Sequence, residues 1–385
     1  MATAARATAT SMPRVSEPGA QTRSIAVYGA TGYTGRLVAA ELHRRGAEFV
    51  LAGRSRTKLD KVAEDVGGAP TSVVSIDDHA ALRELLGPCA AVIACAGPFQ
   101  LHGEPVLAAA AAAGTHYIDT TGEQPFMRRV FDEYGERFRE AGAAAVTAMG
   151  FDYVPGDMIA SLTADGLGAL DELTLAYWTR GFGASRGTAM SALGMIEGGD
   201  VEWRDGELRP APQSVGRGHW DFPEPVGRQR MVRYPAGEHI TVPRHVDTRG
   251  VRTMLTASTA APHPRLAAAA PVLMPLVQLA TRTPLRRVMA AAVSRRPEGP
   301  SEEDRVRSRF TISCEAVAGS RRRRGTISGS DVYGLTACTT VEAALRCAAS
   351  GYERTGALAP SQAFDPADFL AAMAGAGVSW EVEPA

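Results

Sequence analysis

Ser24-Ile25-Ala26-Val27-Tyr28-Gly29-Ala30-Thr31-Gly32-Tyr33-Thr34-Gly35-Arg36-Leu37-Val38 decides the fold. Four apolar residues form a short strand, a glycine-rich turn follows, and the turn opens a helix. Gly29, Gly32 and Gly35 follow a G-x-x-G-x-x-G spacing. Each glycine has a separate task. Gly29 permits a tight turn off the strand. Gly32 lets the backbone approach a pyrophosphate, and Gly35 lets the helix pack closely on the strand. The free N–H groups and the dipole of the helix then face an anion. The same spacing could also mark a ligand-free strand-to-helix turn, so its context matters.

The next residues continue the pattern. Leu37, Val38 and Leu42 give the helix an apolar face, Gly46 stops it, and residues 49–52 (FVLA) make a second buried strand. An NAD-binding chain usually carries Asp or Glu at the tip of this strand. Here the tip reads Gly53-Arg54-Ser55-Arg56, with Lys58 just beyond. A guanidinium in place of a carboxylate makes bidentate bonds to a phosphate, which favours NADP(H). Arg54 is the defended choice. Arg56 and Lys58 equally suit a solvated helix start.

Further strands are expected at 73–76, 91–95, 116–119 and 144–148, with helices at 82–86, 105–113 and 126–141. This alternation is a parallel sheet of the Rossmann type over residues 24–150. Ligands bind at the carboxyl ends of such strands. That rule selects Gly29, Thr31, Gly32, Tyr33, Thr34 and Gly35, then Arg54 and Ser55. It also selects Ala96, Gly97, Pro98 and Phe99, and finally Asp119 to Glu123 and the run from Gly150 and Phe151 to Asp157.

After Asp157 the texture changes. Half-buried strands are expected at 173–178, 251–257, 310–317 and 326–330, with a short helix or strand–turn at 201–208 broken at Asp205-Gly206. Residues 151–330 therefore read as a second α+β domain with a mainly antiparallel sheet. Residues 331–385 read as a helical segment returning to the first domain, with helices at 335–348 and 364–373. Residues 1–23 read as a disordered leader without a secretory h-region.

The 385 residues balance 41 basic against 42 acidic side chains, a net charge of −1. No global basic field exists to attract nucleic acid. Arg321 to Arg324 read as a strand entry or hairpin edge. The five cysteines show no C-x-x-C pair and fit reduced thiols in a cytoplasmic protein; no His/Cys spacing suits a metal. Residues 266–280 (LAAAAPVLMPLVQLA) are apolar but too short to span a bilayer, and arginines follow to 287. Three readings of 266–287 stay open: a peripheral membrane contact, a lid over an apolar substrate, or a buried hairpin. Homodimerisation also stays open.

Four segments resemble the saccharopine dehydrogenase-like oxidoreductases: GATGYTG at 29–35 with AGRS at 52–55, AGPFQLHGEPV at 96–106, GTHYIDTTGE at 114–123, and GFDYVPGD at 150–157. The chain looks most like the branch that contains trans-acting enoyl reductases of lipid and polyketide pathways. The resemblance is dense over 24–157 and thinner afterwards. It implies an NADP-binding Rossmann domain, a second α+β domain, and a C-terminal helix returning to the first. Two departures stand out. Ser75 occupies a position where the family often has Asp, and GFDY replaces the common GFDS, placing the Tyr153 phenol beside the expected nicotinamide site. The only lysines are Lys58 and Lys61, which argues against a saccharopine-type catalytic lysine.

No Tyr-x-x-x-Lys occurs. What remains is hydride transfer from NADPH with the protein orienting a small-molecule substrate, apolar or carrier-tethered, and donating one proton. The catalytic candidates are Tyr153 (proton donor, or a ring packed at the junction), Asp119 (acid, or a cap on the 120–122 turn) and Arg186 (substrate holder, or a solvated loop residue). The leading expectation is reduction of an activated C=C in a lipid, polyketide-like or secondary-metabolite intermediate. An imine or ketone reductase and a non-catalytic NADP sensor are the alternatives.

Overall fold

In the computed structural model, residues 24–198, 200–212, 217–260 and 283–384 are described. Within them the chain forms two seven-stranded sheets and a small hairpin. The first sheet holds β1 (Ile25–Tyr28), β2 (Phe49–Gly53), β3 (Thr71–Val73), β4 (Ala91–Ala94), β5 (His116–Asp119), β6 (Ala144–Val146) and the late strand Gly356–Leu358, β15. Its order is β3-β2-β1-β4-β5-β6-β15, and every pairing in it is parallel. Four-residue strands as apolar as IAVY and AVIA are buried along their whole length, because helices cover both faces. The covering helices are α1 (Tyr33–Arg44), α2 (Arg56–Asp65), α3 (His79–Leu86) and α4 (Glu104–Ala113).

The second sheet runs β10-β11-β12-β7-β13-β14-β16. Its strands are β7 (Glu172–Arg180), β10 (Arg217–Asp221), β11 (Arg228–Arg233), β12 (Val251–Thr256), β13 (Arg309–Ala318), β14 (Arg321–Ser330) and β16 (Ser379–Val382). Only β7 and β12 pair in parallel; the other neighbours are antiparallel. The hairpin is β8 (Val201–Arg204) and β9 (Glu207–Pro210), turning on Asp205 (φ 57°) and Gly206 (φ 81°). Two positive φ values match the strand twist of a tight hairpin.

Helix α5 (Val154–Ala164) joins the two sheets and is buried along most of its length. Its fit is close: a Cβ on Gly325 of β14 would stand 2.1 Å from Thr163 Oγ1. Helix α6 (Val332–Ala348) returns from the second sheet to pack on α1, β4 and β5.

Several expectations are corrected in detail. The third strand lies at Thr71–Val73, earlier than 73–76. The sixth ends at Val146, because Ala148 adopts φ 62°. The long helix expected at 126–141 contains a π-turn at Val130–Tyr134. Residues 201–208 are a hairpin with no helix. The four-arginine run is the strand entry at the β13–β14 hairpin, as expected, whereas the segment after Ser330 is not helical throughout: it contributes β15 to one sheet and β16 to the other. Residues 1–23 and 266–280 lie outside the described residues. Next to the latter, the helix Leu285–Ser294 leaves Leu285 and Val288 exposed. Among the described residues no helix is long and apolar enough to cross a membrane.

Candidate functional site

A cleft of about 280 Å³ opens at the carboxyl end of the parallel sheet. The glycine turn is its floor. Gly29 has φ 82°, and a Cβ there would stand 2.9 Å from the backbone nitrogen of Ala96. A Cβ on Gly35 would stand 2.3 Å from the Gly29 carbonyl oxygen. These two positions admit only glycine. Helix α1 starts at Gly32 with no side-chain cap and no acid in its first turn. Its first N–H groups and positive dipole end therefore remain available to an anion. Arg54 is exposed at the tip of β2, and among the described residues no acidic partner holds it.

The roof comes from the second half of the chain. Ser185, Arg186, Gly187 and Glu298 face the glycine turn across the cleft. Tyr33 Oη donates to the Pro300 carbonyl at 2.9 Å, and Arg36 Nη2 donates to Glu298 Oε2 at 2.6 Å. The Arg186 guanidinium donates to the Arg296 carbonyl at 2.9 and 3.2 Å, and its backbone N–H to the Glu298 carbonyl at 3.0 Å. The hydrogen bond from Arg36 holds the Glu298 carboxyl below its ordinary range; the charges of Arg186 and Lys58 act in the same direction.

Of the residues selected from the sequence, Gly29, Thr31, Gly32, Tyr33, Thr34, Arg54, Ala96, Gly97 and Arg186 line this cleft. Gly35 supports it from beneath. Ser55, Lys58, Pro98 and Phe99 lie outside its lining, and Phe99 is buried against Phe126. Gly150 and Phe151 turn inward. Phe151 N–H donates to Thr336 Oγ1 at 3.0 Å, and its ring packs on Phe310 at 4.7 Å.

Tyr153 takes the junction position that was its alternative. It is 1% exposed, and its hydroxyl donates to the Gly122 carbonyl at 2.8 Å. Burial pushes its pKa well above the usual tyrosine value. Asp119 is wholly buried and works as a bracket. It accepts from Thr121 N–H (3.0 Å), Ala148 N–H (2.9 Å) and Thr147 Oγ1 (2.9 Å). Burial raises its carboxyl to about 6, against the pull of those bonds. The bracket also satisfies Ala148 in its left-handed conformation.

Two carboxylates in the selected segments, Glu123 and Asp152, were given no role by the sequence reading, and a third, Glu238, lay outside those segments. Glu123, 1% exposed, accepts from Phe99 N–H (2.9 Å), Gln100 N–H (2.8 Å) and Ser191 Oγ (2.7 Å), so it ties the 96–100 loop to the second domain. It ends the quoted GTHYIDTTGE segment, which was the available signal. Asp152 is half-buried with no hydrogen bond or ion pair among the described residues, and burial raises its carboxyl to about 6. Its charge reaches Tyr333, whose hydroxyl accepts from Ser185 N–H in the cleft wall at 2.7 Å. Glu238 is fully buried, hydrogen-bonded by Tyr177 Oη, and pushed by burial to about 8.

Residues 25–146 match the saccharopine dehydrogenase NADP binding domain family. A Mycobacterium tuberculosis protein provisionally named a trans-acting enoyl reductase is 37% identical over 183 residues, 45% of this chain and 44% of the relative. A trans-acting enoyl reductase of Mycobacterium ulcerans is 36% identical over 162 residues, 39% of each chain. A saccharopine dehydrogenase-like oxidoreductase of Bos taurus is 33% identical over 152 residues, 35% of each chain. The match thus spans less than half the length of these relatives. The fold extends further. A yeast saccharopine dehydrogenase (L-Glu forming) superposes with a TM-score of 0.59 at 12% identity, over 94% of this chain and all of that one. Residues 25–146 are thus similar to the NADP-binding domain of the saccharopine dehydrogenases, and over the rest of the chain the likeness to the yeast enzyme is one of fold. NADP fits the cleft on its own geometry: a glycine cradle that a Cβ would fill, an uncapped helix start and an unpaired exposed guanidinium.

Proposed function

We propose that the chain is an NADPH-dependent reductase of an activated C=C bond in a lipid-like, polyketide-like or other secondary-metabolite intermediate. The observation that supports it is the roofed cleft: the second domain brings Ser185, Arg186 and Gly187 over the glycine turn, as a substrate-handling enzyme needs. The names carried by the mycobacterial relatives point to the same chemistry.

Bound NADPH supplies the hydride. The chain does the rest. The first turn of α1 and Arg54 hold phosphate charge, and Arg186 orients groups from the roof. Asp152 takes the acid role first assigned to Tyr153, because it is half-buried and has no hydrogen bond or ion pair among the described residues. A carboxyl at about 6 is protonated in a useful fraction near neutrality. An acid that must carry its proton loses rate as pH rises through that value. Asp152→Asn should therefore lower kcat by about 10²- to 10⁴-fold and remove the fall in rate above pH 6. A pH–rate profile of both proteins checks this; an unchanged profile would return the proton to water.

The deciding experiment is a titration with NADPH and NADH, read by nicotinamide fluorescence, beside Arg54→Ala. NADPH should bind tighter, and the variant should lose about tenfold or more of that preference, the worth of a charge-assisted phosphate contact. NADPH oxidation with enones, imines and ketones then separates C=C, C=N and C=O reduction. Tight binding without turnover on any of them would indicate a sensor. Equal binding of both cofactors would sink the reading.

A further inference from the structure

A second, larger cleft of about 810 Å³ lies beside the first. Arg180, Arg296, Arg307 and Arg309 line it, with Phe182 and Asp304. Residues 181–187 and 296–300 form the partition between the two clefts, since both segments contribute to both linings.

The charge in this cleft is one-sided. Arg180 ends β7 and Arg309 begins β13, and the strand register sets them directly opposite each other. Opposed residues of an antiparallel pair share a face, and like charges there repel. Among the described residues neither Arg180 nor Arg296 has an acidic partner. Among the described residues Arg309 donates to the Val306 and Ser308 carbonyls, at 2.7 and 2.8 Å, and to no acid. Arg307 meets Glu303 at 2.5 Å on the open surface. The single acid of the lining, Asp304, accepts from Ser301 Oγ at 2.7 Å and so serves the start of the helix Glu302–Arg307. A chain of net charge −1 thus gathers four guanidinium groups around one cavity. An anion between them would relieve the repulsion and accept their forked donors.

The cleft also has an aromatic side. Phe182 is 37% exposed and stacks on Tyr333 (6.0 Å between centroids, 11° between planes). Tyr333 meets Tyr33 of the glycine turn edge-on at 5.1 Å. Phe182 of this cleft and Tyr33 of the cofactor cleft are thus joined through the buried Tyr333 ring.

We propose that this arginine cleft holds the phosphate of a phosphopantetheine arm, the group that presents thioester-activated acyl chains. The anion site stands on the cleft alone; the identity of the arm rests on the reductase reading above. CoA and a protein-borne carrier share this arm, and CoA adds two further phosphates.

The test is calorimetric titration of the full chain, saturated with NADPH to keep the probes out of the cofactor cleft. The probes are CoA, 4′-phosphopantetheine and pantetheine. Both phosphorylated probes should bind, pantetheine at least tenfold more weakly, and added salt should weaken the first two. Arg180→Gln should weaken both about tenfold and leave NADPH affinity within twofold. It should also melt no lower than the wild type without ligand, because it removes a repulsion. Equal affinity for CoA and phosphopantetheine identifies the arm itself as the recognised group; a tenfold preference for CoA identifies its nucleotide phosphates. Pantetheine binding as tightly as the phosphorylated probes, equal binding to wild type and variant, or no binding to NADPH-loaded protein would overturn the proposal. Loss of NADPH binding in the wild type is a different failure, of the cofactor reading.

Discussion

The floor and the roof of the cofactor cleft are built on opposite principles. The floor is backbone. Within seven residues, Gly29 and Gly35 bring strand, turn and helix so close that an added methyl would overlap the Ala96 backbone nitrogen at the first and the Gly29 carbonyl oxygen at the second. The roof is side chains and carbonyls. Tyr33 reaches Pro300 across 267 positions of sequence, and Arg36 reaches Glu298 across 262. Both partners of the Arg36–Glu298 pair are well exposed, at 37% and 45%. A floor held by sterics tolerates no substitution. A roof held by exposed polar contacts adjusts at small cost, because water competes for each bond.

Three substitutions sharpen or break that contrast. Gly35→Ala should have the largest effect. Its methyl has no room, so stability should fall by roughly 3 kcal/mol or more and NADPH binding should vanish; thermal melting and titration read both. A variant that binds normally would mean that α1 can slide, and the floor would be no more rigid than the roof. Asp119→Ala, beneath the floor, comes next. It strands three buried donors from Thr121, Thr147 and Ala148 and should cost about 2–4 kcal/mol, read by urea denaturation. A cost below about 1 kcal/mol would show that water replaces the bracket. Glu298→Gln in the roof should be the smallest. Removing a carboxylate from a cleft built for phosphate should tighten NADPH binding about two- to fivefold, the scale of an exposed ion pair. Weaker binding would show that Glu298 serves the cofactor, for instance through a ribose hydroxyl, rather than competing with its phosphates.

The same contrast separates what could be read from the chain from what could not. β1, β2, β4 and β5 were legible because parallel strands covered on both faces are short unbroken apolar runs. β10 and β11 were not, because Arg217–Asp221 and Arg228–Arg233 are charged hairpin strands without an apolar run, and only β10 is an edge of the sheet. β15 is three residues long and is a strand only because β6 accepts it. In the site, the glycine turn, Arg54, Ala96 and Gly97 were legible from local spacing. Gly150, Phe151 and Tyr153 sit at a strand end, where the parallel-sheet rule selected them, yet the chain turns at Ala148 and directs Phe151 and Tyr153 into the core.

By itself, the sequence determined a Rossmann-type sheet, its glycine turn and the guanidinium at the tip of β2. Those features depend on residues a few positions apart, where backbone sterics and strand periodicity decide. Tertiary structure alone decided that Glu123 would be a bracket, that Asp119 would reach Thr147 and Ala148, and that Asp152 would have no hydrogen bond or ion pair among the described residues. It also set Glu298 over the turn and Arg180 opposite Arg309. Each of those depends on which distant segment packs alongside, and burial, register and partner charge exist only once the two sheets have met.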